Sequence, residues 1–336
     1  MPKSKTSLQE LIHEVRRIEE HREILTEKKI KAIYQTLDKD LRAFIGEAYE
    51  KYADSDGRLY MANLDAKRKR AWFLKEIAKN CDSISPKLKK ELLSLVDETY
   101  EKCYKGMSDA VKKSETRGEL AAILEDVAVN PDMLKQAVNN NISKLTLPSV
   151  LEKHRNEIIY QAQNALVMGL VNGDRYDEMA KRIVERTGVS ASKAMNIART
   201  ESHRNIESGM MDCAENLSNK LADSGYIYAA TWHTMKDERV RPQQRRKTAK
   251  GWKTTYSKNG ANHMKMEGQT VKVGEEFDLG NGVKAKAPGQ SGVAAHDCND
   301  RCYLEYNFMT VEEFAKATNQ TEEQVRKKYN IKISKE

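Results

Sequence analysis

A chain of 336 residues is long enough for two domains, or for one domain with a long helical extension. Charged residues (32%) nearly match hydrophobic ones (39%), and six prolines with a mean hydropathy of -0.76 suit long solvated helices better than one thick core; the formal charge of +8 favours an anionic partner, nucleic acid first. The sequence holds no apolar run of the roughly 20 residues that span a bilayer and no signal-peptide pattern after Met1, so folding in a cytoplasm is expected, while Cys81, Cys103, Cys213, Cys298 and Cys302 are too sparse for a disulfide framework.

Leu11, Ile12, Val15 and Ile18 fall at helical spacing, and Leu41, Phe44, Ile45, Ala48, Tyr49 and Tyr52 repeat the pattern after a polar interval, predicting amphipathic helices. A turn at Asp54-Ser55-Asp56-Gly57 precedes the basic run Lys67-Arg68-Lys69-Arg70 and a helix with Trp72, Phe73 and Ile77. Pro86 sits near the start of the next helix, which carries Leu88, Leu92, Leu95 and Val96. The period runs on through Leu120, Ile123, Leu124 and Val127 until Asn130-Pro131 interrupts it, and a boundary is expected between there and Pro148. Ile158, Ile159, Ala162, Ala165 and Leu166 mark a helix over 150–170 that Gly173-Asp174 closes. Helices over 176–184 and 190–221 follow, with Ser190 the expected N-cap of the second.

After Gly225 the texture changes: the aromatic and β-branched stretch 226–232 reads as a strand. Further short strands are expected at 271–273, 283–285 and 303–306, with Gly280-Asn281-Gly282 a hairpin turn between two of them. Thr310 and Thr321, each followed by acidic residues, suit the starts of two tail helices. The expected fold class is α+β: a mostly helical N-terminal arm or bundle over 1–147, then a small helix-plus-antiparallel-sheet module over 148–309 (helices 150–221, strands and loops 226–306), then a helical tail over 310–336.

The string Ala198-Arg199-Thr200-Glu201-Ser202-His203-Arg204 lies inside a predicted helix. Glu201 and His203 are two residues apart and point in different directions, which disfavours an acid and base pair; a buried ion pair of Arg199 or Glu201, fixing helix against sheet, is the preferred reading. Downstream come Trp232, Asp237-Glu238-Arg239-Val240-Arg241, then 263–271 with His263 and Gly268, Phe277, Pro288, and the close Cys298-Asn299-Asp300-Arg301-Cys302. In this order the strings resemble the Mu F-like head morphogenesis family of tailed phages, over about residues 150–306. Each element is weak alone, and their order carries the signal.

The resemblance implies a minor head (minor capsid) protein of the virion, associated with the portal and acting in head assembly, DNA packaging or genome delivery, with portal, capsid or scaffold proteins as partners and no catalysis. Arg199, Thr200, Glu201, Trp232, Asp237, Arg239, Gly268 and Phe277 would form the structural core of the family pattern. The chain departs from that pattern in a longer interval between Arg241 and His263 and in wider spacing of the last two cysteines.

The long interval is informative in itself. From Val240 to Met266 there is no Asp or Glu, so this stretch reads as a uniformly positive loop. Arg241, Arg245, Arg246, Lys247, Lys250, Lys253 and Lys258, interleaved with Trp252 and Tyr256, would meet the phosphates and bases of double-stranded DNA without sequence preference, or else an acidic portal or scaffold surface. His263, His296, Cys298 and Cys302 are residue types that bind a structural zinc ion; the plainer reading is two small buried thiols beside hydrogen-bonded imidazoles. A competing class, a metal-dependent nuclease using His263 and His296 or a nucleotide-acting enzyme using Arg199 and Glu201, lacks a phosphate loop, a dinucleotide fingerprint, H-E-x-x-H or a nucleophile elbow. A third reading, a protein that enters the host with the genome, overlaps the first.

Overall fold

A computed structural model of the chain describes residues 7–64, 67–114, 146–221, 225–236, 240–241, 243–248, 251–256 and 261–331. Helices α1 (Leu8–Tyr52), α2 (Lys67–Asp82), α3 (Ser85–Lys113), α4 (Leu147–Asn172) and α5 (Tyr176–Lys220) lead into strands β1 (Tyr226–Thr234), β2 (Gln243–Thr248), β3 (Gly251–Tyr256), β4 (Thr270–Lys272), β5 (Phe277–Gly280) and β6 (Val283–Ala285). The one-turn helix α6 (Ala294–Asp297), strand β7 (Cys302–Thr310), and helices α7 (Val311–Ala317) and α8 (Glu322–Tyr329) follow. The fold is α+β, mostly helical at first, with a small antiparallel sheet after it.

Three local expectations change. The polar interval expected to divide the first helix is helical throughout: α1 has no proline and no glycine before Gly46, and Ile30, Tyr34 and Leu37 continue its buried stripe. The two helices expected over 176–221 are one, and Ser190 lies inside it, its hydroxyl donating to the Arg186 carbonyl at 3.3 Å; Gly188 weakens the helix locally without ending it. The basic interval is not a loop through its length, because β2 and β3 pair antiparallel from Gln243↔Tyr256 to Thr248↔Gly251. The predicted apolar period at Leu120–Val127 and the break at Asn130-Pro131 lie outside the described residues.

The chain groups into two compact units, discontinuous in sequence. One comprises residues 22–95 and 145–199. Its helices bury Ile30, Leu37, Leu41, Phe73, Ile77, Leu92, Ile158 and Leu166. The Tyr34 hydroxyl meets His154 Nε2 at 2.7 Å, and burial pushes that imidazole down to about 4. Helix α4 opens on the Thr146 side chain with Pro148 in its first turn and closes on Gly173 at φ 64, as the Gly-Asp signal predicted. That turn is held by Tyr49 and Arg58, whose side chains donate to the carbonyls of Asp174 (2.6 Å) and Gly173 (3.0 Å).

The other unit comprises residues 1–21, 96–144 and 200–336. Its sheet has the order β4-β1-β7, and β1 is buried on both faces: Tyr228, Ala230 and Trp232 enter the main core with Met210, Cys213, Leu304 and Tyr306, while Ile227 and Ala229 pack on Phe314 and Val325. That two-sided burial explains a strand with little polar alternation. The Arg16 guanidinium forks onto Glu207 at 3.0 and 3.1 Å, and the Leu304 amide donates to the same carboxylate at 3.3 Å, so α1, α5 and β7 share one buried charge pair. Gly209 lets α5 approach α3, since a Cβ there would stand 2.6 Å from the Tyr100 carbonyl oxygen. Capping boxes at Thr310 and Thr321 start α7 and α8 as the sequence indicated.

Candidate functional site

A set of buried polar side chains in the sheet-bearing unit lies where β7 begins. Antiparallel register pairs Thr234 with Cys302 and Trp232 with Leu304, which makes Cys302 the diagonal neighbour of Trp232 on the core-facing side. The 3-10 turn His263–Met266 brings His263 to this corner, edge-on to the Trp232 ring at 6.0 Å. His263 Nδ1 then sits 3.0 Å from Asp300 Oδ1 and 3.4 Å from Cys302 Sγ, and its Nε2 lies 3.0 Å from His296 Nδ1. The His263 and Asp300 side chains are each 1% exposed.

Asp300 is the hub. Its Oδ1 also accepts from the amides of Arg301 (2.7 Å) and Cys302 (3.2 Å), and its Oδ2 accepts from the Gly289 amide (3.2 Å). Burial works against its charge, yet the hydrogen bond and charge of His263, with His203 and Cys302, hold the carboxyl well below the usual range. Burial and the neighbouring Asp300 push the Cys302 thiol far up, and burial with the His263 charge lowers His296.

A second layer begins at the helix. Arg204 donates through Nη1 to both oxygens of Glu201 at 3.2 and 3.1 Å and through Nε to the Gly289 carbonyl at 2.8 Å. Gly289 thus joins Arg204 on one side to Asp300 on the other. It has to be glycine: φ is +74°, and a Cβ would fall 2.7 Å from Arg204 Cγ. Thr200 Oγ1 accepts from the Asn299 amide at 3.2 Å, so the Arg-Thr-Glu string also holds the turn after α6.

This geometry does not form a nucleophilic triad. A working triad places nucleophile and carboxylate on opposite nitrogens of the imidazole, whereas Cys302 and Asp300 share Nδ1. A thiol held protonated at 1% exposure is also a poor nucleophile.

Residues 160–305 match the family model described as Phage Mu protein F like protein. That match takes in 146 of the chain's 336 residues. It is similar to the minor head protein GP7 of Bacillus phage SPP1, 29% identical over 280 residues that cover 83% of this chain and 81% of that one. It is also similar to a protein of Enterococcus faecalis named NAD(+)--arginine ADP-ribosyltransferase EFV, 28% identical over 219 residues, 65% of this chain; the chain spans 39% of that protein's length. No solved structure matches it.

Placed on the structure, the Mu F-like pattern is a set of internal contacts. Trp232 is wholly buried and meets Phe277 edge-on at 5.2 Å. Gly268, at φ +79°, donates its amide to the Trp232 carbonyl at 2.8 Å. Glu201 forms a buried ion pair, but with Arg204 of the same helix and not across to the sheet as expected; Arg199 reaches Glu27 in the helical unit and is half exposed. Asp237 and Arg239 lie outside the described residues.

Of the four proposed metal ligands, the structure brings His263 and Cys302 together with Asp300. His296 stands behind His263 on its other nitrogen. Cys298 is half-buried beside Arg241, whose guanidinium donates to its carbonyl. Sequence reading passed over Asp300 although it lies inside the quoted string, and a carboxylate two residues before a buried thiol was the available signal. Arg204, three residues after Glu201, carried the spacing of a helical ion pair, and Gly289 carried no signal.

Among the basic residues, Arg241 is half-buried and used internally. Arg245, Arg246, Lys247, Trp252, Lys253 and Tyr256 occupy the β2–β3 ladder, and Lys250 and Lys258 lie outside the described residues. No helix among the described residues is long and apolar enough to cross a membrane.

Proposed function

We propose that the protein is a structural minor head protein of a tailed phage, seated in the virion head near the portal, assembled in the host cytoplasm, and acting in head assembly, DNA packaging or genome delivery. The observation that carries this is coverage: the similarity to the SPP1 minor head protein takes in 83% of this chain and 81% of that one, helical region and sheet module alike. The similarity to the ADP-ribosyltransferase leaves most of that protein unmatched. Its name therefore lends little weight to an enzymatic reading, and the two residues a nucleotide-acting enzyme would use, Arg199 and Glu201, are engaged in ion pairs with Glu27 and Arg204.

Its partners in this reading are the portal with capsid or scaffold proteins, and double-stranded DNA bound without sequence preference. The β2–β3 hairpin is the DNA-facing part. Strand alternation with the observed register puts positions 245, 247, 252 and 256 on one face of the ladder, two cations and two aromatics, in a stretch without acidic residues.

Quantitative mass spectrometry of purified particles, DNA-free heads and tails tests the assignment. The protein is expected in heads at a low, fixed copy number. Its absence from heads and their precursors overturns the reading, and transfer of label from NAD(+) to protein by the purified chain would overturn its non-catalytic part.

A further inference from the structure

We propose that His263, Asp300 and Cys302 form a zinc site, with the metal bound to Nδ1 of His263, a carboxylate oxygen of Asp300 and the thiolate of Cys302, and water in the fourth position. The three donor atoms lie within 4.8 Å of one another, and all three residues are buried. The 3.0 Å separation of nitrogen from oxygen and 3.4 Å of nitrogen from sulfur are close to the roughly 3.3–3.6 Å edges of a tetrahedron drawn with ordinary zinc–ligand bond lengths. Imidazole, carboxylate and thiolate together suit zinc better than magnesium or calcium, which take oxygen donors.

Two surrounding features point the same way. A metal-bound imidazole donates its other N–H to a fixed acceptor, and His263 Nε2 faces His296 Nδ1 at 3.0 Å with the rings stacked at 5.2 Å. The Trp232 indole N–H, 0% exposed, has no oxygen or nitrogen acceptor, and the group it favours is the thiolate of Cys302. An unpartnered buried donor is costly beside a neutral thiol and useful beside a metal-bound thiolate.

Binding releases one proton to solvent, from the Cys302 thiol; the proton His263 shares with Asp300 at Nδ1 gives way to the metal, and the ring keeps one proton on Nε2, donated to His296 Nδ1. The ion would tie the turn that follows the basic hairpin to the start of β7. This inference is independent of where the protein resides.

The test uses the full-length chain, expressed with zinc and dialysed exhaustively. About one zinc per chain is expected, with an X-ray absorption first shell of one sulfur among nitrogen and oxygen scatterers. The cobalt-substituted protein should show a thiolate-to-metal charge-transfer band that Cys302→Ser removes and Cys298→Ser keeps. A folded wild-type chain that retains no metal overturns the proposal. So does a shell with no sulfur or with two, which needs no variant and stays decisive if Cys302→Ser fails to fold, and so does a band lost with Cys298→Ser.

Discussion

The buried corner at the start of β7 and the β2–β3 hairpin belong to one compact unit and use polar residues in opposite ways. In the corner, charges are matched inside: Arg204 answers Glu201 and reaches Gly289, and Asp300 answers His263 and three backbone amides. The hairpin stretch contains no acidic residue of its own. The pattern residues that are described thus make internal contacts, and the acid-free run of positive charge lies in the long interval between Arg241 and His263. That interval is easily accommodated because its ends are already adjacent, the Met264 amide donating to the Arg241 carbonyl at 3.1 Å.

The strongest way to break the corner is to leave one of its charges unanswered. Arg204→Ala strands the Glu201 carboxylate, which burial already disfavours, and should cost about 3–5 kcal/mol of stability. Urea unfolding followed by circular dichroism measures it; a loss under about 1 kcal/mol would mean the corner tolerates an unpaired charge and is not the scaffold described.

The hairpin should respond the other way round. Replacing Arg245 and Lys247 together with alanine should weaken binding to random-sequence duplex DNA roughly tenfold or more at about 0.1 M salt and lower the slope of log K against log salt by about 2, with stability unchanged within about 0.5 kcal/mol. Fluorescence anisotropy across a salt series reads both quantities. An unchanged slope would turn the hairpin toward an acidic protein surface instead.

Gly289→Ala comes next in size, at about 1–3 kcal/mol, from a positive φ and a Cβ forced against Arg204. The same urea measurement, with Gly268→Ala as a control that shares the positive φ but meets no neighbour, separates crowding from backbone strain.

What the sequence made legible follows the range of the interaction. Local signals served well: the Gly173 terminus, the threonine caps at 310 and 321 and the strand at 226–232 appear as read, while the Gly280-Asn281-Gly282 turn joins the expected strand at 283–285 to β5, which was not expected. The continuity of α1 and α5 was hidden because a polar interval or a Gly188 lowers helix propensity without forbidding helix, and tertiary packing decides. The β2–β3 ladder was hidden because Gln243–Thr248 shows no apolar alternation; its register comes from pairing alone. The same limit governs the site. His263 and Cys302 stood out by residue type, but the Asp300–His263 contact and the Arg16–Glu207 pair join residues 37 and 191 apart, out of reach of local reading.

Glu267 offers the smallest and most selective test, because it pins the root of the corner without belonging to its buried charge set. Partial burial opposes its ionisation, but the Thr234 amide at 2.7 Å, the Thr234 hydroxyl at 3.0 Å, His233 at 3.1 Å and Lys236 at 3.1 Å outweigh it and hold the carboxyl at about 2. The unfolded chain would titrate near 4.5, so between these values it binds more protons than the folded one and stability rises with pH. The contribution is complete above about 4.5 and disappears as pH falls through about 2. Glu267→Gln should therefore be less stable than the wild type at neutral pH, and the gap should close on acidification across that window. Unfolding free energies of both proteins at stepped pH give the comparison; a gap that stays constant down to pH 2 would mean that the carboxylate's hydrogen bonds, and not its charge, anchor the turn.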